Sequence, residues 1–284
     1  MIRLAVFGSP ISQSLSPAIH GRFAQQCGLD VEYRAIEASS ENFAGLLREL
    51  VDQDARGCNI TAPLKNEAWK LAHSATESAE RAHAANTLLF GEADAWLADN
   101  TDGRGLVRDL SANLGQDTCG SRICIIGAGG ATAGILGDLL DQKPASITIA
   151  NRTLERAQDL QQTFGSASIA VPESTVIAIS LDDLATSDPF DLIINATSLG
   201  HAGGRPELPP AMLLPCSLCY DLNYGNAAEP MRAYCRQAGI LYEDGLGMLL
   251  EQAALSFQLW TGHTPDTTPV LKEMRPPTIW GSRR

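Results

Sequence analysis

Lys65 and Asp102 are the residues of this 284-residue chain whose types could move a proton together. The lysine stands in CNITAPLK, where a strand-like run delivers Asn59, Thr61 and Lys65 into a turn broken by Pro63. The aspartate stands in ADNTDGRGL, at the end of another such run. A carboxylate beside an ammonium group tunes the proton affinity of each partner, which is what acid–base chemistry requires. Plainer readings exist for both. Lys65 can be a surface lysine opening a helix, although a cation is disfavoured at a helix N-terminus. Asp102 can be the N-cap of a helix over 103–114.

A second group of residues could hold a dinucleotide. In RICIIGAGGATAGILGDLLDQKPASITIANRTLER, the apolar run 123–126 is too short for an amphipathic helix and reads as a buried parallel strand. Gly127, Gly129 and Gly130 then allow a tight turn that lets the backbone approach a pyrophosphate at the start of the next helix. The third glycine of that fingerprint falls at Thr132, so close packing must come from Ala131, Ala133 or Gly134. Where the second strand, 146–150, ends, an NAD enzyme would place a carboxylate for the ribose. Asn151, Arg152 and Thr153 stand there instead, with Arg156 a turn later. Two guanidinium groups would bind a 2′-phosphate that a carboxylate would repel, so the residues imply NADP rather than NAD.

Elements must place these groups. Strands are expected at 3–7, 31–36, 57–60, 86–90 and 95–98, interleaved with helices at 17–27, 43–52 and 64–72, so an α/β domain precedes the glycine turn. Ser14 and Ser16 in SQSLSP fit a helix start followed by Pro17 and equally suit a carboxylate; the residues leave both open. AANTLLF puts Asn86 at a strand start. Beyond the glycine turn, DPFDLIINATSLG reads as a buried strand over 192–195 entering a polar turn, the usual meeting point of a doubly wound sheet and its cofactor. Leu246, Leu249, Leu250, Ala253, Ala254 and Phe257 then repeat at helical spacing over 246–260, with Gln252 on the same helix.

Composition narrows the classes. Hydrophobic residues make up 44% and charged residues 19%, no apolar run reaches a membrane span of roughly 18 residues, and MIRLAVFGSP lacks the features of a signal peptide. Seven cysteines without an export signal imply reduced thiols in the cytoplasm. Cys216 and Cys219 form a lone CxxC, and His20, His73, His83, His201 and His263 make no ligand-spaced cluster, so no metal is expected. A formal charge of −12 disfavours nucleic-acid and acidic membrane partners.

Taken in order, SQSLSP, NITAPLK, AANTL, DNTDGRG, GAGGA, NRT, INATSLG and DGLGMLLEQA resemble the shikimate dehydrogenase family, over a stretch from Val6 to about Pro269. The resemblance implies a two-domain α/β fold: a substrate domain of 1–102 with 243–284, and a Rossmann-type, doubly wound NADP domain of 103–242. It implies that Ser14 and Ser16 bind the shikimate carboxylate with Tyr224 on the same side. Thr61, Lys65, Asn86, Asp102 and Gln252 would take the ring hydroxyls, with Lys65 and Asp102 as the catalytic pair. Gly127, Ala128, Gly129, Gly130 and Ala131 would hold the pyrophosphate, and Asn151, Arg152, Thr153 and Arg156 the 2′-phosphate. Ala196, Thr197, Ser198, Leu222 and Gly245 would line the nicotinamide end, with Glu77 as a further contributor.

The activity implied is reversible, NADP-dependent reduction of 3-dehydroshikimate to shikimate, on the way to chorismate and the aromatic amino acids, by a cytoplasmic monomer or homodimer. A relative using quinate or NAD, or a nucleotide-binding regulator without turnover, remain the alternatives. Ala62, Leu64 and Asn223 depart from the family pattern and read as packing variation.

Overall fold

The computed structural model describes residues 1–92, 95–167 and 175–275; the end of the expected substrate domain, 276–284, lies outside them. Among the described residues the chain forms two six-stranded sheets. The first takes β1 (Ile2–Gly8), β2 (Val31–Glu37), β3 (Ala55–Ile60), β4 (Ser74–Ala75), β5 (Thr87–Leu89) and β6 (Leu97–Asp99) in the order β2-β1-β3-β5-β6-β4. It is mixed: β1 runs parallel to β2 and β3, β5 runs antiparallel to β3 and β6, and β4 is parallel to β6.

The second sheet takes β7 (Arg122–Ile126), β8 (Ser146–Asn151), β9 (Thr175–Ser180), β10 (Phe190–Asn195), β11 (Leu213–Asp221) and β12 (Leu241–Asp244). Its order is β12-β11-β10-β7-β8-β9, and all its pairs are parallel. Strands such as β7 and β10 are apolar without alternation because both of their faces are covered by helices. The order reverses between β7 and β10, which opens a crevice at their C-terminal ends, where Ala196 N–H donates to the Ile126 carbonyl at 2.9 Å. Strand β12 reaches Asp244, slightly past the boundary expected at 242.

Helices α1 (Ser16–Cys27), α2 (Phe43–Val51), α3 (Lys65–Leu71), α4 (Glu77–Ala82) and α5 (Asp102–Arg108) precede the second sheet. Helices α6 (Gly130–Asp141), α7 (Leu154–Ala167) and α8 (Glu229–Ala238) accompany it, and α9 (Leu246–Thr261) and α10 (Thr267–Met274) return to the first. The return is driven by apolar burial: Ile19 and Phe23 of α1 pack fully buried against Leu250 and Phe257 of α9. Each such side chain contributes roughly 2 kcal/mol. Trp260 of α9 also donates its indole N–H to the Leu88 carbonyl at 2.9 Å.

Several elements go beyond expectation, among them α4 and the end of α5. Helix α4 had no periodic apolar stripe to announce it; Thr76 caps it by accepting from Ala79 N–H. The helix expected over 103–114 is α-helical only to Arg108 and then widens into a single π turn, Asp109–Asn113, with Leu114 N–H donating to the Asp109 carbonyl at 3.0 Å. Buried Asp109 explains the widening: its carboxylate accepts from Tyr220 Oη at 2.6 Å and from Asn113 Nδ2 at 2.8 Å, which holds the turn open.

Candidate active site

Lys65 is the first residue of α3, and its Nζ does not reach into solvent. It donates to Asp102 Oδ2 at 2.5 Å, with the lysine side chain 19% exposed and the aspartate 9%. Asp102 is the first residue of α5 and does not cap it; Thr101 occupies the cap position, its hydroxyl bonded to the Gln252 carbonyl at 3.1 Å rather than to the helix N–H groups. The other carboxylate oxygen, Oδ1, accepts from Asn86 Nδ2 at 2.7 Å. Asn86 Nδ2 also lies 3.1 Å from Gln252 Oε1, so α9 completes the cluster from far along the chain. Gln252 is buried rather than solvated. Four expected residues therefore converge on a point between the sheets, where an ammonium group and a carboxylate can pass a proton to or from a bound hydroxyl.

The remaining substrate-side residues frame this point. Ser16 opens α1 and is buried, and its N–H donates to Ser14 Oγ at 3.3 Å, so neither serine acts as the cap of that helix. Thr61 directly follows β3, donating its N–H to the Phe7 carbonyl at 2.8 Å, and the adjoining Ala62 carbonyl accepts from Ser9 N–H at 3.2 Å. The two loops thus lie side by side. Tyr224 packs against the same α1–α9 apolar cluster as Leu15, which places it beside the Ser14–Ser16 turn. Burial pushes its phenol up from the usual value.

On the nucleotide side, Gly127 has φ +112°, a conformation open to glycine, and an added Cβ would meet the Ala196 backbone at 3.1 Å. At Gly129 and Gly130 an added Cβ would meet nothing within 4 Å, and no side chain caps α6. A cradle with open space above unpaired helix N–H groups fits a pyrophosphate. Thr132, in place of the third glycine, is fully buried and donates Oγ1 to the Gly127 carbonyl at 2.7 Å, tying the turn to the helix. The close packing expected from Ala131, Ala133 or Gly134 falls to Gly134. Its neighbour is not a strand: a Cβ there would come within 3.2 Å of both Asn100 Nδ2 and Asp102 Oδ2. Helix α6 therefore rests on the carboxylate that pairs with Lys65.

Asn151 holds the glycine turn, its Oδ1 accepting from Ala128 N–H at 3.2 Å while its Nδ2 donates to the Thr153 carbonyl at 2.8 Å. Arg152 and Arg156 are exposed and have no ion-pair partner among the described residues, as fits two cations kept for a phosphate. Glu77 opens α4 with its side chain 86% exposed and 3.8 Å from Arg81.

At the other end of the crevice, Asp221 accepts from Asn195 Nδ2 at 2.9 Å and from Asn223 N–H at 3.0 Å, and Asn223 Nδ2 donates to the Thr197 carbonyl at 2.9 Å. Burial raises Asp221 to about 6, a rise that these hydrogen bonds only partly offset. Leu222 N–H bonds the Asn195 carbonyl and Gly245 N–H the Asn223 carbonyl, both at 2.9 Å, so Ala196, Thr197, Ser198, Leu222 and Gly245 belong to one stitched rim.

Sequence reasoning missed the polar groups behind Asn86. Thr87 and Ser256 are buried and 2.7 Å apart, yet lie 169 positions apart in the chain. One signal for Ser256 existed: it follows Gln252 by four positions and so shares its helix face.

A mixed α/β domain joined to a Rossmann-type domain, with a lysine–carboxylate pair where they meet, defines a two-domain nucleotide-dependent oxidoreductase. Comparison with known proteins specifies it further. Residues 6–88 match the family model for the shikimate dehydrogenase substrate binding domain, 109–202 that for shikimate / quinate 5-dehydrogenase, and 245–275 that for the shikimate 5′-dehydrogenase C-terminal domain. Shikimate dehydrogenase (NADP(+)) of Marinobacter nauticus is 44% identical over 95% of this chain and 97% of its own length. The protein of the same name from Methylococcus capsulatus is 45% identical over 96% of this chain and 95% of its own. The structure of shikimate 5-dehydrogenase from Thermus thermophilus in complex with NADP(H) and shikimate superposes with a TM-score of 0.80, at 30% identity, covering 96% of this chain and 98% of that one. This chain belongs to the shikimate dehydrogenase family.

Proposed function

We propose that the chain is an NADP-dependent shikimate dehydrogenase, interconverting 3-dehydroshikimate and shikimate on the route to chorismate and the aromatic amino acids. The observation that carries the reading is the Lys65–Asp102 pair at 2.5 Å, held between Asn86 and the nucleotide helix. Ser14, Ser16 and Tyr224 take the substrate carboxylate, and Thr61, Asn86 and Gln252 orient the ring hydroxyls. Gly127, Ala128, Gly129, Gly130 and Ala131 hold the pyrophosphate, Asn151, Arg152, Thr153 and Arg156 the 2′-phosphate, and Ala196, Thr197, Ser198, Leu222 and Gly245 the nicotinamide end, with Glu77 nearby.

NADP(H), when bound, supplies or accepts the hydride. In the reducing direction Lys65 gives a proton to the oxygen that becomes the alcohol, and Asp102 stabilises the ammonium group before that transfer. In the oxidising direction the hydroxyl proton goes to Lys65 or to the coupled pair. The 2.5 Å contact makes the two act as one unit. Asn86 keeps the carboxylate turned towards the lysine, and the packed helices exclude water from its far side. The protein works in the cytoplasm as a monomer or homodimer, without a nucleic-acid or membrane partner; among the described residues no helix is long and apolar enough to cross a membrane.

The test is absorbance of reduced nicotinamide with shikimate or quinate crossed against NADP and NAD. Turnover confined to shikimate with NADP is expected. Comparable rates with NAD would remove the role given to Arg152 and Arg156, and no turnover with either acid would refute the dehydrogenase reading.

A further inference from the structure

Behind Asn86 lies a column of polar side chains. Tyr33 Oη donates to Asn59 Oδ1 at 2.7 Å. Asn59 Nδ2 is 3.0 Å from the Asn86 carbonyl, 3.1 Å from Thr87 Oγ1 and 3.1 Å from Ser256 Oγ. Thr87 Oγ1 donates to Asn86 Oδ1 at 2.9 Å. Asn86 Nδ2 then donates to Asp102 Oδ1, whose other oxygen receives Lys65. Asn59, Asn86, Thr87 and Ser256 are all buried, so water cannot substitute for a missing partner.

The direction of this chain is fixed by groups that have only one possible role. A backbone carbonyl faces Asn59 Nδ2 and can only accept, so the amide nitrogen must lie there and Oδ1 must turn to the tyrosine. At Asn86, the Thr101 N–H can only donate, at 2.9 Å to Oδ1, and the Asp102 carboxylate can only accept from Nδ2. Thr87 Oγ1 stands between Asn59 Nδ2, Ser256 Oγ at 2.7 Å and Asn86 Oδ1 at 2.9 Å, so it can accept from either of the first two while giving its proton to Asn86. A path of hydrogen bonds thus leads from Tyr33 through Asn59 and Thr87 to Asn86 and Asp102. The head of the column is anchored: His20 stacks on Tyr33 with centroids 4.3 Å apart and planes 7° from parallel, and burial lowers its pKa to about 3, keeping the ring neutral.

We propose that Thr87, backed by Asn59 and Tyr33, is a positioning residue that, beside the Thr101 N–H, holds the Asn86 carboxamide in its donation to Asp102 and thereby keeps the Lys65–Asp102 pair aligned; the inference rests on the dehydrogenase reading above. The Thr87 hydroxyl adds a further donor to the Asn86 Oδ1 that the Thr101 N–H already holds, and so narrows the range over which the amide can swing away from the carboxylate.

The test compares Thr87→Val, which keeps the shape and removes the hydroxyl, with Thr87→Ser, which keeps the hydroxyl, and with Tyr33→Phe at the head of the column. Thr87→Val is expected to lower kcat about tenfold, with the KM for NADP unchanged. It also shifts the acidic limb of the kcat–pH profile, since the amide that donates to Asp102 is held less firmly. Thr87→Ser restores both quantities, and Tyr33→Phe shifts both in the same direction by about threefold. Wild-type kcat and pH profile in a folded Thr87→Val protein overturn the proposal. So does a loss that serine fails to restore, which would mark a packing role. Should the valine variant not fold, a Tyr33→Phe protein with wild-type kcat and acidic limb overturns it equally. Wild-type protein without turnover refutes the dehydrogenase reading instead; the column is then judged from the Asn86 side-chain amide resonances, which must shift in Tyr33→Phe for the proposal to stand.

Discussion

Replacing Lys65 by methionine keeps the methylene stem and removes only the Nζ that lies 2.5 Å from Asp102 Oδ2. A positioned acid–base group accelerates a reaction by about 10²–10⁴-fold, or about 3–5 kcal/mol of barrier. The lysine side chain is only 19% exposed, so solvent is poorly placed to replace it, and a loss in kcat of about 10³-fold is expected. Its contribution to ground-state binding is one hydrogen bond, which limits the change in KM for shikimate to about tenfold. The fold should survive: the Lys65 carbonyl still accepts Ala85 N–H at 2.8 Å, and Asp102 keeps the Asn86 donor. Loss of one donor to a buried carboxylate costs about 1–3 kcal/mol of stability, visible as a lowered Tm. Initial rates of NADP reduction, with each substrate varied at saturating levels of the other, separate the two constants. A KM raised a hundredfold with kcat nearly intact would mean that Lys65 only binds, and the proton-transfer role would be abandoned.

Three further results are expected. Gly127→Ala forces a Cβ to within 3.1 Å of the Ala196 backbone at φ +112°, and such strain costs about 1–3 kcal/mol; fluorescence titration should show NADP affinity at least tenfold weaker, and unchanged affinity would contradict the cradle. Arg152→Ala with Arg156→Ala should raise the KM for NADP by about tenfold per guanidinium while leaving that for NAD almost unchanged; equal losses with both nucleotides would refute the 2′-phosphate assignment. Asp221, raised by burial from 3.8 to about 6, binds its proton more tightly folded than unfolded, so its contribution to stability is largest at low pH and is lost as pH rises through that interval, by at most about 3 kcal/mol. Asp221→Asn should flatten this dependence in urea unfolding between pH 4 and pH 7, and identical slopes in the two proteins would show that Asp221 is not the group responsible.

The parts legible in the sequence were those governed by local rules. The apolar runs of β7 and β10 announce strands buried on both faces, and Gly127 followed by Gly129 and Gly130 announces a turn that few other residues can make. Lys65 and Asp102 were legible because charged residues beside strand ends are costly unless used. What remained hidden depends on distant pairing. Nothing near Thr87 indicates that its hydroxyl will meet Ser256, and nothing near Arg81 indicates that it will donate to the Gly137 carbonyl at 2.6 Å and pair with Asp141 at 2.9 Å, joining α4 to α6. The π turn after Arg108 was hidden for the same reason, since it answers to Tyr220 on another strand.

The return of α9 to the first sheet has a consequence for synthesis. When the ribosome has released β1 to α5, the lysine and aspartate are both present, but Gln252, Ser256 and the apolar cover for Ile19 and Phe23 have not yet been made. The nucleotide domain emerges next, with its six parallel strands contained between Arg122 and Asp244. Competence for catalysis is therefore acquired last, when α9 seats its glutamine beside Asn86. A chain interrupted before that point leaves Ile19 and Phe23 without their cover, an exposed apolar face of the kind that favours aggregation.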